Sequence, residues 1–153
     1  MSFLLTFSSL LAAAGMVAAT WLRGWSLPES VSSTIYELPR RLTCLWTAWM
    51  MAIAFPIAPP LIEALPDPLR VIGFLAILLL LFVAAWPLVE SYTVKAHYVA
   101  AVLVGILSQV CVAIISPWWL VMWPLWLFGY VLRRGLLTAE TICFATLIGA
   151  LAN

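Results

Sequence analysis

From Val71 to Val89 the chain carries no charged residue, and most side chains in this stretch are large and apolar. A helix needs about 20 mostly apolar residues to cross the hydrocarbon core of a bilayer, so this stretch is long enough for a membrane span. The whole chain of 153 residues is 66% hydrophobic and only 8% charged. Soluble domains are about 25% charged, so the composition excludes a soluble or disordered protein. The net charge of +1 offers no phosphate-binding surface, and we expect no nucleic-acid partner.

Charged residues and turn residues divide the chain into six apolar segments, which predicts an all-α polytopic transmembrane helical bundle forming a single domain over residues 1–153. The first four segments are near full length, and the last two are shorter. Ser116-Pro117 separates the fourth from the fifth, because proline disrupts a helix interior. Five spans are the alternative, if the last two segments merge or fail to cross. The expected spans are 3–22, 42–62, 71–89, 98–116, 117–132 and 136–152.

Basic residues are distributed unevenly between the loops that join these spans. Arg70 lies in an even-numbered loop, whereas the other six of the seven Lys and Arg residues lie in odd-numbered loops. Short cytoplasmic loops carry an excess of Lys and Arg, so we expect the odd loops in the cytoplasm and both termini outside. The two membrane faces are called the odd-loop face and the even-loop face below. The six basic residues are Arg23, Arg40, Arg41, Lys95, Arg133 and Arg134.

Small residues spaced four apart mark the faces through which these spans are expected to pack, because helices in lipid associate by close backbone approach. In the fourth span, Ser108 and Gln109 are expected to hydrogen-bond a neighbouring helix. In the second, three prolines predict a kink or unwinding near the outer end. The small-residue pairs are Ala14–Ala18, Gly15–Ala19, Ala48–Ala52, Ala101–Gly105 and Ala145–Gly149, and the prolines are Pro56, Pro59 and Pro60.

Most polar side chains of the chain fall on the odd-loop face. A functional site would therefore open on this face, built from the first loop and from the beginnings of the fourth and sixth spans. The competing interpretation is that loops simply collect polar residues. The candidate ligand-binding residues are Ser30, Ser32, Ser33, Tyr36, Glu37, Glu90, His97 and Glu140.

Glu140 stands out because it lies about one turn inside the sixth span. An ionisable group there is costly unless it faces the bundle interior or a partner. Arg133, Arg134 and His97 are the candidate partners, and extension of the side chain to the headgroup region is the alternative. His97, the one histidine of the chain, begins the fourth span and could carry a proton near neutral pH. A purely structural interfacial histidine is the other interpretation.

Enzyme and cofactor sites find little support in the sequence. Three scattered cysteines and one histidine do not form a zinc ligand set, and no phosphate-binding or dinucleotide-binding glycine motif occurs. We expect no metal and no cofactor. A serine hydrolase would need a nucleophile, a base and an acid. Ser32 or Ser33, His97 and a carboxylate supply the residue types without a diagnostic spacing, so catalytic residues stay unassigned and an enzyme is the last alternative.

Two short strings resemble segments of known membrane proteins. The string from Pro28 to Glu37 resembles the P-x-S-[IV]-S-x-x-Y first loop of small, mostly uncharacterised bacterial multi-span proteins, although the tyrosine stands one position later here. The string from His97 to Ala101 resembles the H-x-x-[GA]-A opening of their fourth span. Both are distantly similar to the Frag/DRAM/Sfk-type six-span proteins. The resemblance implies a bacterial inner-membrane protein and singles out Ser30, Ser32, Tyr36 and His97. In the eukaryotic relatives the first loop is thought to be non-cytosolic, whereas the distribution of basic residues here predicts a cytoplasmic first loop.

These observations favour a small multi-pass integral membrane protein that binds a lipid headgroup or small amphiphile in a polar pocket at the odd-loop face. Membrane lipids are the expected partners. One alternative is a subunit of an oligomeric channel or transporter, in which a homo-oligomer lines the path. Another is a structural or accessory partner of a second membrane protein.

Overall fold

The computed structural model describes residues 2–88 and 94–153, and for Ser2, Tyr36, Glu37, Arg40 and Val94 it describes the backbone only. Within these ranges all regular structure is helical. The α-helices are α1 (Ser2–Leu22), α2 (Thr43–Ala64), α3 (Arg70–Ala85), α4 (Val94–Ile115), α5 (Trp126–Val131) and α6 (Gly135–Ala152). Short 3-10 helices cover Ser32–Glu37, Arg40–Leu42, Asp67–Leu69, Trp86–Leu88 and Pro117–Leu125. The segment 23–42 between α1 and α2 is called loop 1.

Five helical segments are long and apolar enough to cross a membrane, which confirms an all-α integral membrane protein. In lipid the backbone must satisfy its hydrogen bonds internally, and a helix does so within one segment. The segment expected as the fifth span is different, because it forms the 3-10 helix Pro117–Leu125 followed by the short α5. Pro124 has no N–H to donate along an α-helix, and this favours departure from α-helical geometry. The five segments are Phe3–Leu22, Thr43–Ala64, Asp67–Leu88, Lys95–Ile115 and Gly135–Ala152.

Helices α1, α2, α3, α4 and α6 pack in that order around a ring, which α6 closes by contacting α1. The antiparallel pairing of α1 with α2 is visible where the Ser8 hydroxyl donates to the Ile53 carbonyl oxygen at 3.0 Å. Gly15 of α1 lies directly against the Trp49 indole of α2, as the Gly15–Ala19 pair predicts. By contrast, Ala14 is exposed. The Gly15 side of α1 is therefore the one that packs.

The fifth segment runs antiparallel to α6 on the outside of the ring. Trp119 lies against Gly149 near the end of α6, and Gly129 lies against Thr138 near its start. Segment 117–131 therefore follows most of the length of α6, and it also packs on α4.

The buried core lies at the end of the bundle nearest the even-loop face. Its largest enclosed side chains come from the second half of α2 and the last turns of α6, including Ile57, Leu61 and Leu151. Leu5 of α1 and Val112 of α4 join the same cluster. Four helices of the ring therefore meet closely at this end.

The three prolines of α2 do not unwind it. The helix continues from Thr43 to Ala64 through Pro56, Pro59 and Pro60, so of the two expected alternatives, a kink or unwinding, unwinding does not occur. Pro60 is fully buried. Dense packing around this part of the helix holds the helical path even though three backbone donors are missing.

Candidate functional site

A cavity of about 1140 Å³ lies within the ring of five helices. Aliphatic and aromatic side chains form most of its wall. Ile57, Leu61 and Leu147, which belong to the buried core, form its end towards the even-loop face. Loop 1 borders the opposite end through Leu27 and Val31. The core thus lies at one end of the cavity and loop 1 at the other, and exposed lining residues such as Ile106 and Val110 place part of the wall at the outer surface of the bundle.

Glu140 is the one carboxylate among the described lining residues, and no described Lys or Arg lines the cavity. Its Oε2 accepts a hydrogen bond from the Val31 backbone N–H at 2.5 Å. A second hydrogen bond holds loop 1 beside Glu140, since the Leu137 N–H donates to the Glu29 carbonyl oxygen at 3.2 Å. Two backbone contacts therefore fasten loop 1 to the first turns of α6.

None of the candidate cationic partners pairs with Glu140 among the side chains that the structure describes. Arg133, Arg134 and His97 form no ion pair with it, and the ion pair described elsewhere in the chain joins Arg70 to Asp67. The hydrogen-bond partner of Glu140 is the backbone N–H of Val31 instead. Glu140 does face the bundle interior, as the cost of a carboxylate inside a span predicts.

The serine hydroxyls of loop 1 have two different roles. Those of Ser30 and Ser33 bond within the loop, whereas that of Ser32 borders the cavity without a hydrogen bond inside the described part of the loop. The Ser33 hydroxyl donates to the Ser30 carbonyl oxygen at 2.8 Å, and the Ser33 N–H donates to the Ser30 hydroxyl at 3.0 Å. These bonds form a turn, so both hydroxyls have a local role. The Ser32 side chain lines the cavity and has no such bond among the described residues. Of the candidate serines, Ser32 is therefore the best placed to meet a ligand.

Loop 1 is also fixed to α2. The Trp46 indole N–H donates to the Thr34 hydroxyl at 2.9 Å, and both side chains are buried. The Thr34 hydroxyl in turn donates to the Val31 carbonyl oxygen at 2.6 Å. The residue that contacts Glu140 is thus tied through Thr34 to α2.

His97 lines the cavity from the first turns of α4. Its ring centroid lies 5.4 Å from that of Trp86. Its Nδ1 atom is buried and has no hydrogen-bond partner among the described residues. A neutral imidazole offers one donor and one acceptor nitrogen, so this atom is available to a bound molecule.

A second polar group lies deeper in the bundle, around Gln109. Its side-chain oxygen accepts a hydrogen bond from the Trp123 indole N–H at 2.9 Å, and its amide nitrogen donates to the Thr146 hydroxyl at 3.1 Å. This confirms that Gln109 bonds to a neighbouring helix. The sequence gives no signal of the contact between Trp123 and Gln109, because the two residues lie in different segments.

The parallel register of α4 and α6 sets the relative depth of these polar groups. Gly105 lies beside Cys143, and Gln109 bonds to Thr146. By that offset Glu140 is level with positions 102–103 of α4, about 8 Å deeper than His97 at 1.5 Å per residue. Thr146 lies about 9 Å deeper still by the same rise. The polar groups therefore occupy three levels.

The structure gathers part of the expected set around one cavity, namely Ser30, Ser32, His97 and Glu140. Ser33 stabilises the loop 1 turn instead. Glu90 lies outside the described residues, and the side chains of Tyr36 and Glu37 are likewise outside them. No group of three or more potential metal ligands occurs in the described part of the chain.

Comparisons with protein-family models, with curated proteins and with solved structures find no match for this chain.

Proposed function

We propose that this membrane protein binds an amphiphile in the cavity, with the headgroup at the Glu140 end and the chain along the apolar wall. The observation that carries the proposal is the make-up of the cavity wall, which is mostly apolar and carries one carboxylate, Glu140, beside the loop 1 hydroxyls. A second polar pair, Ser108 and Gln109, lines the wall at a deeper level. Ligand pockets usually measure about 300–1,000 Å³ and combine an apolar wall with a few convergent polar groups. A cavity of about 1140 Å³ lies just above that range and has room for a ligand with a long alkyl chain.

The buried core supports binding over the channel alternative. A conducting path needs access from both membrane faces, whereas the apolar side chains of Ile57, Leu61 and Leu147 are packed in the core between the cavity and the even-loop face. The polar group around Gln109 is also occupied by its own contacts with Trp123 and Thr146. The accessory-partner alternative makes no use of an internal cavity.

We further propose six crossings, with segment 117–131 as the fifth. A 3-10 helix rises about 2.0 Å per residue and an α-helix 1.5 Å. The 9 residues of the 3-10 helix and the 6 of α5 then extend about 27 Å, close to a hydrocarbon core of about 30 Å. The antiparallel contact with α6 supports the same topology. Together with the basic residues of the odd loops and the two short resemblances, this favours a bacterial inner-membrane protein with both termini outside.

The experiment that tests amphiphile binding uses Gly105, which lines the cavity. A Cβ at this position would meet Cys143 Sγ at 3.7 Å, an ordinary contact. Gly105→Ala should therefore be tolerated, whereas the ring of Gly105→Phe would occupy cavity space. Native mass spectrometry of both variants and of the wild type, released from mild detergent, measures the bound mass.

We expect a defined amphiphile mass on the wild type and on Gly105→Ala, and its loss from Gly105→Phe. Thermal unfolding and gel filtration of the two variants establish that both fold. Equal retention by a folded Gly105→Phe variant, or no bound mass on the wild type, would overturn the proposal.

A further inference from the structure

The chemistry around Glu140 indicates which headgroup the cavity would accept. A carboxylate has about four hydrogen-bond acceptor positions. Among the described residues, the protein supplies one donor, the Val31 N–H. A carboxylate removed from water is costly unless hydrogen bonds or a cation compensate it. The bound molecule is therefore in a position to supply further donors.

The described lining holds no Lys or Arg, and His97, which can carry a positive charge, lies about 8 Å from the depth of Glu140 at 1.5 Å rise per residue. A phosphate or carboxylate bound at the depth of Glu140 would therefore face a like charge without a cation beside it. The Ser32 hydroxyl and His97 Nδ1 can accept as well as donate hydrogen bonds. This side of the cavity suits a group with N–H or O–H donors.

Resting on the proposed amphiphile binding, we propose that the ligand is a long-chain amphiphile whose headgroup donates hydrogen bonds to Glu140 through a primary amine or a hydroxyl, and that anionic headgroups are rejected. Glu140 then determines headgroup specificity, and the apolar wall determines only that a chain is bound. Recognition of the alkyl chain and recognition of the headgroup can be tested separately, because different residues contact the two parts of the ligand.

The test compares three probes with the same chain, namely hexadecylamine, hexadecanol and hexadecanoate. Each is titrated onto delipidated protein in detergent, and native mass spectrometry measures the bound fraction. Glu140→Gln removes the charge but keeps an oxygen that can accept from the Val31 N–H, so loop 1 stays fastened. Glu29→Gln is the matched control, because Glu29 is an exposed carboxylate on the same loop that does not line the cavity.

For the wild type and Glu29→Gln, we expect the amine or the alcohol to bind about tenfold or more tightly than the acid. In Glu140→Gln the difference between the preferred probe and the acid should fall to about threefold or less. If Glu140→Gln weakens the binding of hexadecylamine alone, the preferred headgroup is a cationic amine. If it weakens the binding of both hexadecylamine and hexadecanol relative to hexadecanoate, hydroxyl headgroups are accepted too.

Equal or tighter binding of the acid by the wild type, or an unchanged preference in Glu140→Gln, would overturn the headgroup inference. If the probes still failed to bind to Gly105→Phe in that case, amphiphile binding itself would stand. Absence of binding by all three probes to the wild type would overturn both proposals.

Discussion

The indole N–H of Trp123 donates to the side-chain oxygen of Gln109 at 2.9 Å, which joins the 3-10 part of the fifth segment to α4 inside the bundle. Thr146 of α6 bonds to the same Gln109 side chain. One amide therefore links three neighbouring segments. A buried amide satisfies both its donor and its acceptor here, and this makes a polar residue tolerable within a span.

We expect this link to contribute modestly to stability. A double-mutant cycle with Gln109→Leu and Trp123→Phe should give a coupling energy of about 0.6 kcal/mol, and no more than about 1.7, as for other hydrogen bonds between membrane helices. Thermal or denaturant unfolding in detergent measures it. Additive effects of the two substitutions would show that the hydrogen bond contributes nothing to stability.

Gly15 should not tolerate even a methyl group. Its Cβ would overlap the Trp49 indole, and that indole is held by its hydrogen bond to the Leu11 carbonyl oxygen at 2.9 Å. Gly15→Ala should lower the free energy of unfolding by about 1–3 kcal/mol, the usual cost of overpacking. Unfolding measurements on the two variants Gly15→Ala and Gly105→Ala check this.

Gly105→Ala is the matched control, since it makes an ordinary contact and replaces a helix-interior glycine. It should leave stability unchanged or raise it by up to about 1 kcal/mol. A Gly15→Ala variant as stable as Gly105→Ala would contradict the close packing of α1 on α2.

Thr34→Val should loosen loop 1 while preserving the shape of the side chain. The substitution removes the acceptor for the Trp46 indole N–H and the donor to the Val31 carbonyl oxygen. An unpaired buried donor costs about 1–3 kcal/mol. Faster amide hydrogen exchange over residues 29–38 is the expected result, measured by mass spectrometry.

Trp46→Phe removes the same bond from the other side and should accelerate exchange in the same segment. Exchange in α3 serves as the internal reference, because this helix packs mainly on α2 and α4. Uniform acceleration over the whole chain would indicate global destabilisation instead of a loop effect.

Six crossings place Asn153 on the same membrane side as Asp67 and opposite Ser26. Single cysteines at these three exposed positions, in a background with the native cysteines replaced by alanine, should show this pattern with a membrane-impermeant thiol reagent. Labelling of Asn153→Cys from the same side as Ser26→Cys would mean that segment 117–131 does not cross.

Much of the fold is predictable because lipid constrains it strongly. The expected spans 3–22 and 136–152 begin one residue later than the observed helices and end at the same residues, since apolar length and flanking polar residues determine both. The 3-10 geometry of Pro117–Leu125 was not predicted, because hydropathy does not distinguish helix types. The sequence predicts the span that becomes α2 but leaves a kink and unwinding at its prolines as alternatives, because the packing around Pro60 comes from residues far away in sequence.

The candidate site was predictable only in part. The cost of a charge in a span marks Glu140 from the sequence alone. Its partner is a backbone N–H, at Val31, and a backbone group carries no sequence signature. The local turn of Ser30 and Ser33 was hidden for a related reason, since a serine in a loop looks the same whether it bonds to its own backbone or faces a ligand.

The buried core that joins Leu5, Ile57 and Leu151 has a consequence for exchange with the membrane. Because the core fills the bundle at that end, the hydroxyls of loop 1 and Glu140 lie nearer to the leaflet on the side of loop 1. A headgroup bound at Glu140 would therefore exchange most readily with the lipids of that leaflet. In vesicles with two different leaflets, occupancy would follow the composition of the loop 1 monolayer more closely than that of the other.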